Sequence, residues 1–171
     1  MNLRRIVTRT TVSAAALLAA ALLLPSTGAA KDETVKYTPY KIRGSVTMEL
    51  PSGWDQMLNV PIPIVSAIDI GESTRLGRYY NEVTEGTLTI IVVEGEDPIF
   101  YLQAIGVCTA ASGGKAYWEM DGPIITFLFG EGHLEGETGG FTMTSVSPPE
   151  IVSPTVVKFS YAGEGEIGFE K

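Results

Sequence analysis

Cysteine and histidine are nearly absent from the 171 residues, which contain one of each, Cys108 and His133. A single cysteine excludes an internal disulfide, and one Cys with one His falls short of the usual zinc ligand sets, so no metal site is expected. The lone thiol reads as buried packing rather than as a nucleophile. Positive charge is scarce too: 12 Lys and Arg stand against 20 Asp and Glu, a formal net charge of −8. DNA, RNA and anionic lipid surfaces are held mainly by Lys and Arg, so no nucleic-acid partner is expected. After residue 33 no apolar period of 3.6 residues lasts longer than two turns, and no glycine-rich phosphate loop opens a helix. Nucleotide cofactors lose their usual seat, and no cofactor is expected.

What is present begins with a leader. Arg4, Arg5 and Arg9 precede an apolar run over residues 12–24, and Pro25 to Ala30 supply small side chains, the layout of a signal-peptide helix cleaved after Ala30. The run is shorter than the roughly 20 apolar residues of a membrane span. No cysteine directly follows it to accept a lipid, so no stable membrane anchor is expected after cleavage. Arg4-Arg5 raises the twin-arginine export route, but Leu3 and Thr8 fit that pattern poorly and a Sec signal is the plainer reading. The expected domains are residues 1–30, the signal peptide, and residues 31–171, a secreted or periplasmic domain. Removing the leader removes three basic residues and no acidic one, leaving nine against 20 and a formal charge of −11.

The mature part reads as all-β, because period-two alternation recurs between glycine-rich breaks. Residues 45–50 place Val46, Met48 and Leu50 on one face. Runs over 78–84 and 86–93 are separated by Glu85 alone, which predicts a tight hairpin or a bulged bend, and 98–104 follows the turn-forming Glu94 to Asp97. Residues 116–120 and 123–129 flank Asp121-Gly122, a dipeptide suited to a two-residue hairpin turn. Residues 140–146 and 155–162, separated by Ser147-Pro148-Pro149-Glu150, and a short tail strand at 167–169 complete about eight strands. So many short antiparallel strands hide their edges best as a closed barrel, with a β-sandwich as the alternative. Residues 51–71 read as a long loop or a lid over one barrel end, because Pro61 and Pro63 confine any strand there to an edge.

Two glycine motifs carry a resemblance. The first is Gly71-Glu72-Ser73-Thr74-Arg75-Leu76-Gly77-Arg78-Tyr79, and the second runs Gly130-Glu131-Gly132-His133-Leu134-Glu135-Gly136-Glu137-Thr138-Gly139-Gly140-Phe141. Over about the last hundred residues the chain resembles a family of small secreted bacterial proteins with a Thr-x-Leu-Gly-Arg-aromatic stretch and a later Gly-Thr-Gly-Arg-Phe-x-Gly-Ala-Thr-Gly run. Here Glu131 stands in place of the Thr, His133 of the Arg and Leu134 of the Phe, so the glycine spacing carries the likeness. The same spacing is similar to that of dirigent proteins and allene oxide cyclase, which implies an eight-stranded antiparallel barrel. It brings no catalytic residues with it.

The residues name no catalytic set. His133 sits in a glycine-rich turn, open to water and without a partner to orient it, so it reads as a solvated side chain. Glu94, Glu96 and Asp97, or Glu131, Glu135 and Glu137, offer oxygens for calcium but lack the calcium-loop spacing, and acidic loop tips exposed to water are the plainer reading. An eight-stranded barrel interior is just wide enough to be filled or to hold one small ligand. On 78–84, Tyr79, Asn81 and Val83 share a face. If it points inward, Asn81 is a buried polar group needing a partner, either the protein itself or a ligand, and Tyr79 and Asn81 are the ligand-binding candidates. The reading leans away from an enzyme, towards an exported protein that binds a small apolar ligand or a protein partner, with a homo-oligomer compatible. The alternative is a cyclase- or dirigent-like enzyme or auxiliary protein that steers a reactive intermediate in an apolar cavity.

Overall fold

Alternating side chains make the chain bury one sheet face, and in the computed structural model, which describes residues 35–169, that sheet curls until its two edges meet. Its strands are β1 (Thr38–Glu49), β2 (Pro61–Pro63), β3 (Ser66–Ser73), β4 (Gly77–Ile91), β5 (Ile99–Ala110), β6 (Lys115–Asp121), β7 (Ile124–Glu131), β8 (Glu137–Val146), β9 (Glu150–Ser153) and β10 (Val156–Phe169). Eight form a closed antiparallel barrel in the order β1-β3-β4-β5-β6-β7-β8-β10, and β1 pairs with β10 along its whole length to close it. Closure decides for the barrel over the sandwich. The short strands β2 and β9 lie outside the ring on β4 and β10. The expected signal peptide falls outside the described residues.

Several boundaries differ from those expected. The runs on either side of Glu85 are one strand, β4, carrying a bulge between Val83 and Glu85, so the bulged bend is right and the hairpin is not. The bulge shifts the inward set from Tyr79, Asn81 and Val83 to Gly86, Leu88 and Ile90. The 155–162 run and the tail are likewise one strand, β10, with an irregularity at Ala162/Gly163. The hairpin between β6 and β7 forms, but Asp121 pairs with Ile124, so the turn sits one residue later at Gly122-Pro123, and Gly122 takes φ 59°. Residues 66–71, expected to lie in a loop, belong to a full barrel strand, β3.

The remainder of the expected lid, residues 51–65, packs over one barrel end. Trp54 opens a short 3-10 turn at Trp54–Gln56, is buried, and donates its indole N–H to the Pro154 carbonyl at 3.1 Å. Ile62, on the edge strand that its flanking prolines permit, is fully buried. Together with Met48, Leu50, Leu88, Ile90 and Val157 these two form one apolar cluster. The other cluster fills the opposite half of the barrel with Tyr40, Trp118, Phe127, Phe141, Tyr161 and their neighbours.

Candidate functional site in the barrel interior

Two rows of inward side chains, adjacent along the strands, hold the polar residues. In the first row the register runs Tyr161 on β10, Gly44 on β1, Gly71 on β3 and Tyr79 on β4. The two glycines leave a gap in the wall, and the tyrosines lean across it until their hydroxyls meet at 2.8 Å. A Cβ at Gly44 would lie under 3.0 Å from Tyr79, Tyr161 and Asp69, and one at Gly71 would strike the Tyr79 ring. In the second row Val46, Asp69, Asn81 and Cys108 follow one another across β1, β3, β4 and β5.

Asp69 is the hub. Its Oδ2 accepts from Asn81 Nδ2 at 2.8 Å and from the Tyr161 hydroxyl at 2.7 Å. The Tyr79 hydroxyl also reaches the Arg43 carbonyl at 3.2 Å. Burial pushes the Asp69 carboxyl above the ordinary carboxylate range, and the hydrogen bonds from Tyr161 and Asn81 pull it back in part. The phenols of Tyr40, Tyr79 and Tyr161 are likewise raised, chiefly by burial, and stay neutral.

Around this cluster lies a cavity of about 70 Å³, walled by residues of both apolar clusters, with Ile64 of the lid segment among them. Asp69 Oδ1, Asn81 Oδ1, Tyr40 Oη and Trp118 Nε1 are buried without a hydrogen-bond partner, and all four residues line the cavity. Buried polar atoms are normally paired, so four orphans around one space are unusual. Three methionines, Met48, Met120 and Met143, form part of the same wall. Their unbranched thioethers adapt to different shapes.

Both ligand candidates therefore face the interior. Asn81 is satisfied on its amide side by the Asp69 carboxylate, a side chain from the neighbouring strand rather than a backbone amide. Sequence reasoning missed Asp69 and Tyr161, whose contacts with Asn81 and Tyr79 depend on cross-strand register. Cys108 is buried beside them and its thiol is pushed up to about 12, mainly by burial.

Elsewhere the acidic residues divide. Glu94, Glu96 and Asp97 are exposed, but Glu137, expected at a wetted loop tip, points inward at 3% exposure with both oxygens unpartnered. It begins β8, and that register turns its side chain into the barrel opposite Phe169. Burial raises its carboxyl to about 7, against a lowering pull from Arg75. No cluster of three metal-ligating side chains occurs among the described residues. His133 is exposed and meets Ser112 Oγ through Nε2 at 3.0 Å. A wider depression of about 560 Å³ on the outer wall carries the ion pairs Lys41–Glu164 and Arg43–Glu72, so four of its charges are already matched.

Fold and site together define a small closed β-barrel with a polar anchor inside a largely apolar interior. No known family, curated protein or solved structure matches the chain.

Proposed function

We propose that this is an exported, non-enzymatic binding protein whose barrel interior takes one small, largely apolar molecule held by the Asp69–Asn81–Tyr161 anchor. The observation that carries this reading is the set of four buried polar atoms without a hydrogen-bond partner on residues that line one interior cavity. A ligand that met them would remove the penalty of leaving buried donors and acceptors unmade. The space is small: an engineered cavity of about 150 Å³ accepts benzene, so 70 Å³ accommodates about three or four non-hydrogen atoms before the methionines move. Export rests on the leader layout, and the barrel likeness to dirigent and cyclase proteins remains part of the proposal.

Native mass spectrometry of freshly purified protein is expected to show a chain starting at residue 31 with extra bound mass. In a second measurement, pressurised xenon should shift the methyl signals of Met48, Met120 and Met143 while leaving Met57, which lies outside the cavity wall, in place. A bare chain whose methyl signals ignore xenon overturns the reading.

One observation favours the alternative of steering a reactive intermediate. A buried carboxyl, Asp69, stands inside the cavity, where a proton donor or acceptor would act on a bound molecule. Turnover of a bound compound that Asp69→Asn abolishes without loss of binding would select that reading.

A further inference from the structure

The β6–β7 hairpin stops short of the strands on either side of it. At its tip the Gly122 N–H donates to the Leu102 carbonyl of β5, and the Pro123 carbonyl accepts from the Met143 N–H of β8, both at 2.8 Å. Past these bonds, among the described residues, Ile99–Tyr101 of β5 pair with β4 alone. On the other side β8 runs on to Val146, and β9 after it pairs with β10 alone. Antiparallel residues direct their N–H and C=O to one neighbour and the other by turns. Leu102 directs its carbonyl to the hairpin, so Phe100, two residues earlier, turns its N–H and C=O to the same side, where β6 has ended.

The side chains agree with the backbone. Phe100 pairs with Ile90, Val146 with Tyr161 and Ile151 with Val157, and all three partners are buried. Cross-strand partners share one face of a sheet. Phe100, Val146 and Ile151 therefore belong to the inner face, yet they are 41%, 48% and 49% exposed. The surroundings are acidic: Glu94, Glu96 and Asp97 ahead of β5, Asp121 at the end of β6 and Glu150 at the start of β9 are all exposed. Among the described residues Lys158, opposite Glu150, is the one cation on the strand ends here.

We propose that the β5 edge at Phe100 takes an extended, basic segment of another protein, which adds a strand to the barrel wall past the hairpin tip. The segment's backbone exchanges hydrogen bonds with the Phe100 N–H and C=O. Its alternate apolar side chains turn to the inner face, the face of Phe100, Val146 and Ile151, and its lysines or arginines turn outward to the carboxylates. Charge selects this occupant over a second copy. Antiparallel pairing of the edge with itself about Phe100 would drive the Glu94–Asp97 turn of each copy towards the Asp121 of the other, and like charges across an interface oppose it. The formal charge of −8 adds repulsion between copies and attraction for a basic partner. This rim site is separate from the interior cavity and stands without it.

The test titrates the purified protein with a short capped peptide of alternating lysine and valine, and with its counterpart bearing glutamate for lysine, following backbone amide signals and their hydrogen exchange. The basic peptide should slow exchange at the Phe100 amide and bind at least tenfold more tightly than the acidic one, and the difference should shrink as salt is added. Phe100→Pro removes the N–H on the free edge while sparing the ladder to β4, and should weaken binding at least tenfold. If that variant does not fold, a basic peptide with its central valine N-methylated serves instead and should bind as weakly. Equal binding of the two peptides, or binding that leaves the Phe100 amide exchanging as before, overturns the proposal. So does self-association in sedimentation that protects this amide without peptide, which would give the edge to a second copy.

Discussion

Glu137 offers a quantitative check on the interior. Both of its oxygens are buried without a partner, and its carboxyl is raised from an ordinary 4.5 to about 7, first by burial and against the pull of Arg75. A carboxyl raised in the folded state favours folding when protonated. Its contribution is therefore complete below about pH 4.5 and is lost as the pH climbs through about 7. A shift of about two and a half units corresponds to about 3 kcal/mol, at roughly 1.36 kcal/mol per unit. Glu137→Gln keeps the shape and cannot ionise. The variant should match the wild type near pH 4.5 and exceed it by about 3 kcal/mol at pH 8, roughly 10 °C in melting temperature for a domain of this size.

The assay is urea unfolding of both proteins at half-unit steps from pH 4.5 to 8.5, read as the difference between them. Every other titrating group is common to the two chains, so it cancels from that difference. A difference that stays flat across the range would refute the reasoning, because it would mean that Glu137 ionises as freely in the barrel as in the unfolded chain.

Three further outcomes follow from the packing. Gly44→Ala should destabilise the fold by about 1–3 kcal/mol in denaturant unfolding, the usual range for overpacking, because its new methyl group would push against Asp69, Tyr79 and Tyr161 at once. Cys108, 2% exposed and with its thiol at about 12, should ignore a water-soluble thiol reagent at pH 8 and react at once in denaturant; a fast native reaction would show that the interior opens readily. Trp54→Phe removes the indole N–H held by the Pro154 carbonyl and should cost about 1 kcal/mol, measured by thermal unfolding, while barrel strand content by circular dichroism stays unchanged.

How much of this was legible depended on how local the determining chemistry was. The hairpin between β6 and β7 was readable because Gly122 carries its own turn signal, and the inward face of Tyr79, Asn81 and Val83 because the alternation there is clean. Strand β3 was hidden for an opposite reason. It turns Ala67, Asp69, Gly71 and Ser73 inward and leaves Ile68 and Ile70 at the surface, so its apolar residues mark the wrong face. The two prolines ahead of it added to the impression of a loop. β10 was split by inward Gly163 and Gly165, which look like breaks in sequence and serve as clearances in space: a Cβ at either would press against Phe141.

The same inversion explains why the anchor itself could not be found from the chain. An aspartate in a segment with prolines and serines reads as a surface residue, and a strand glycine reads as a flaw. Their joint meaning appears only when closure sets Gly44 beside Gly71 and Val46 beside Asp69, for then the glycines supply the room into which two tyrosines lean and the carboxyl gains its donors. The polar site is thus a product of register, and a one-residue slip of β3 against β1 would turn Asp69 out to solvent and bring Ile68 or Ile70 inward. A barrel closed for stability alone would hold an aliphatic residue at position 69. Under the proposed reading, the acid at that position, on the wall of the interior cavity, is what would tie the fold to the binding of a ligand.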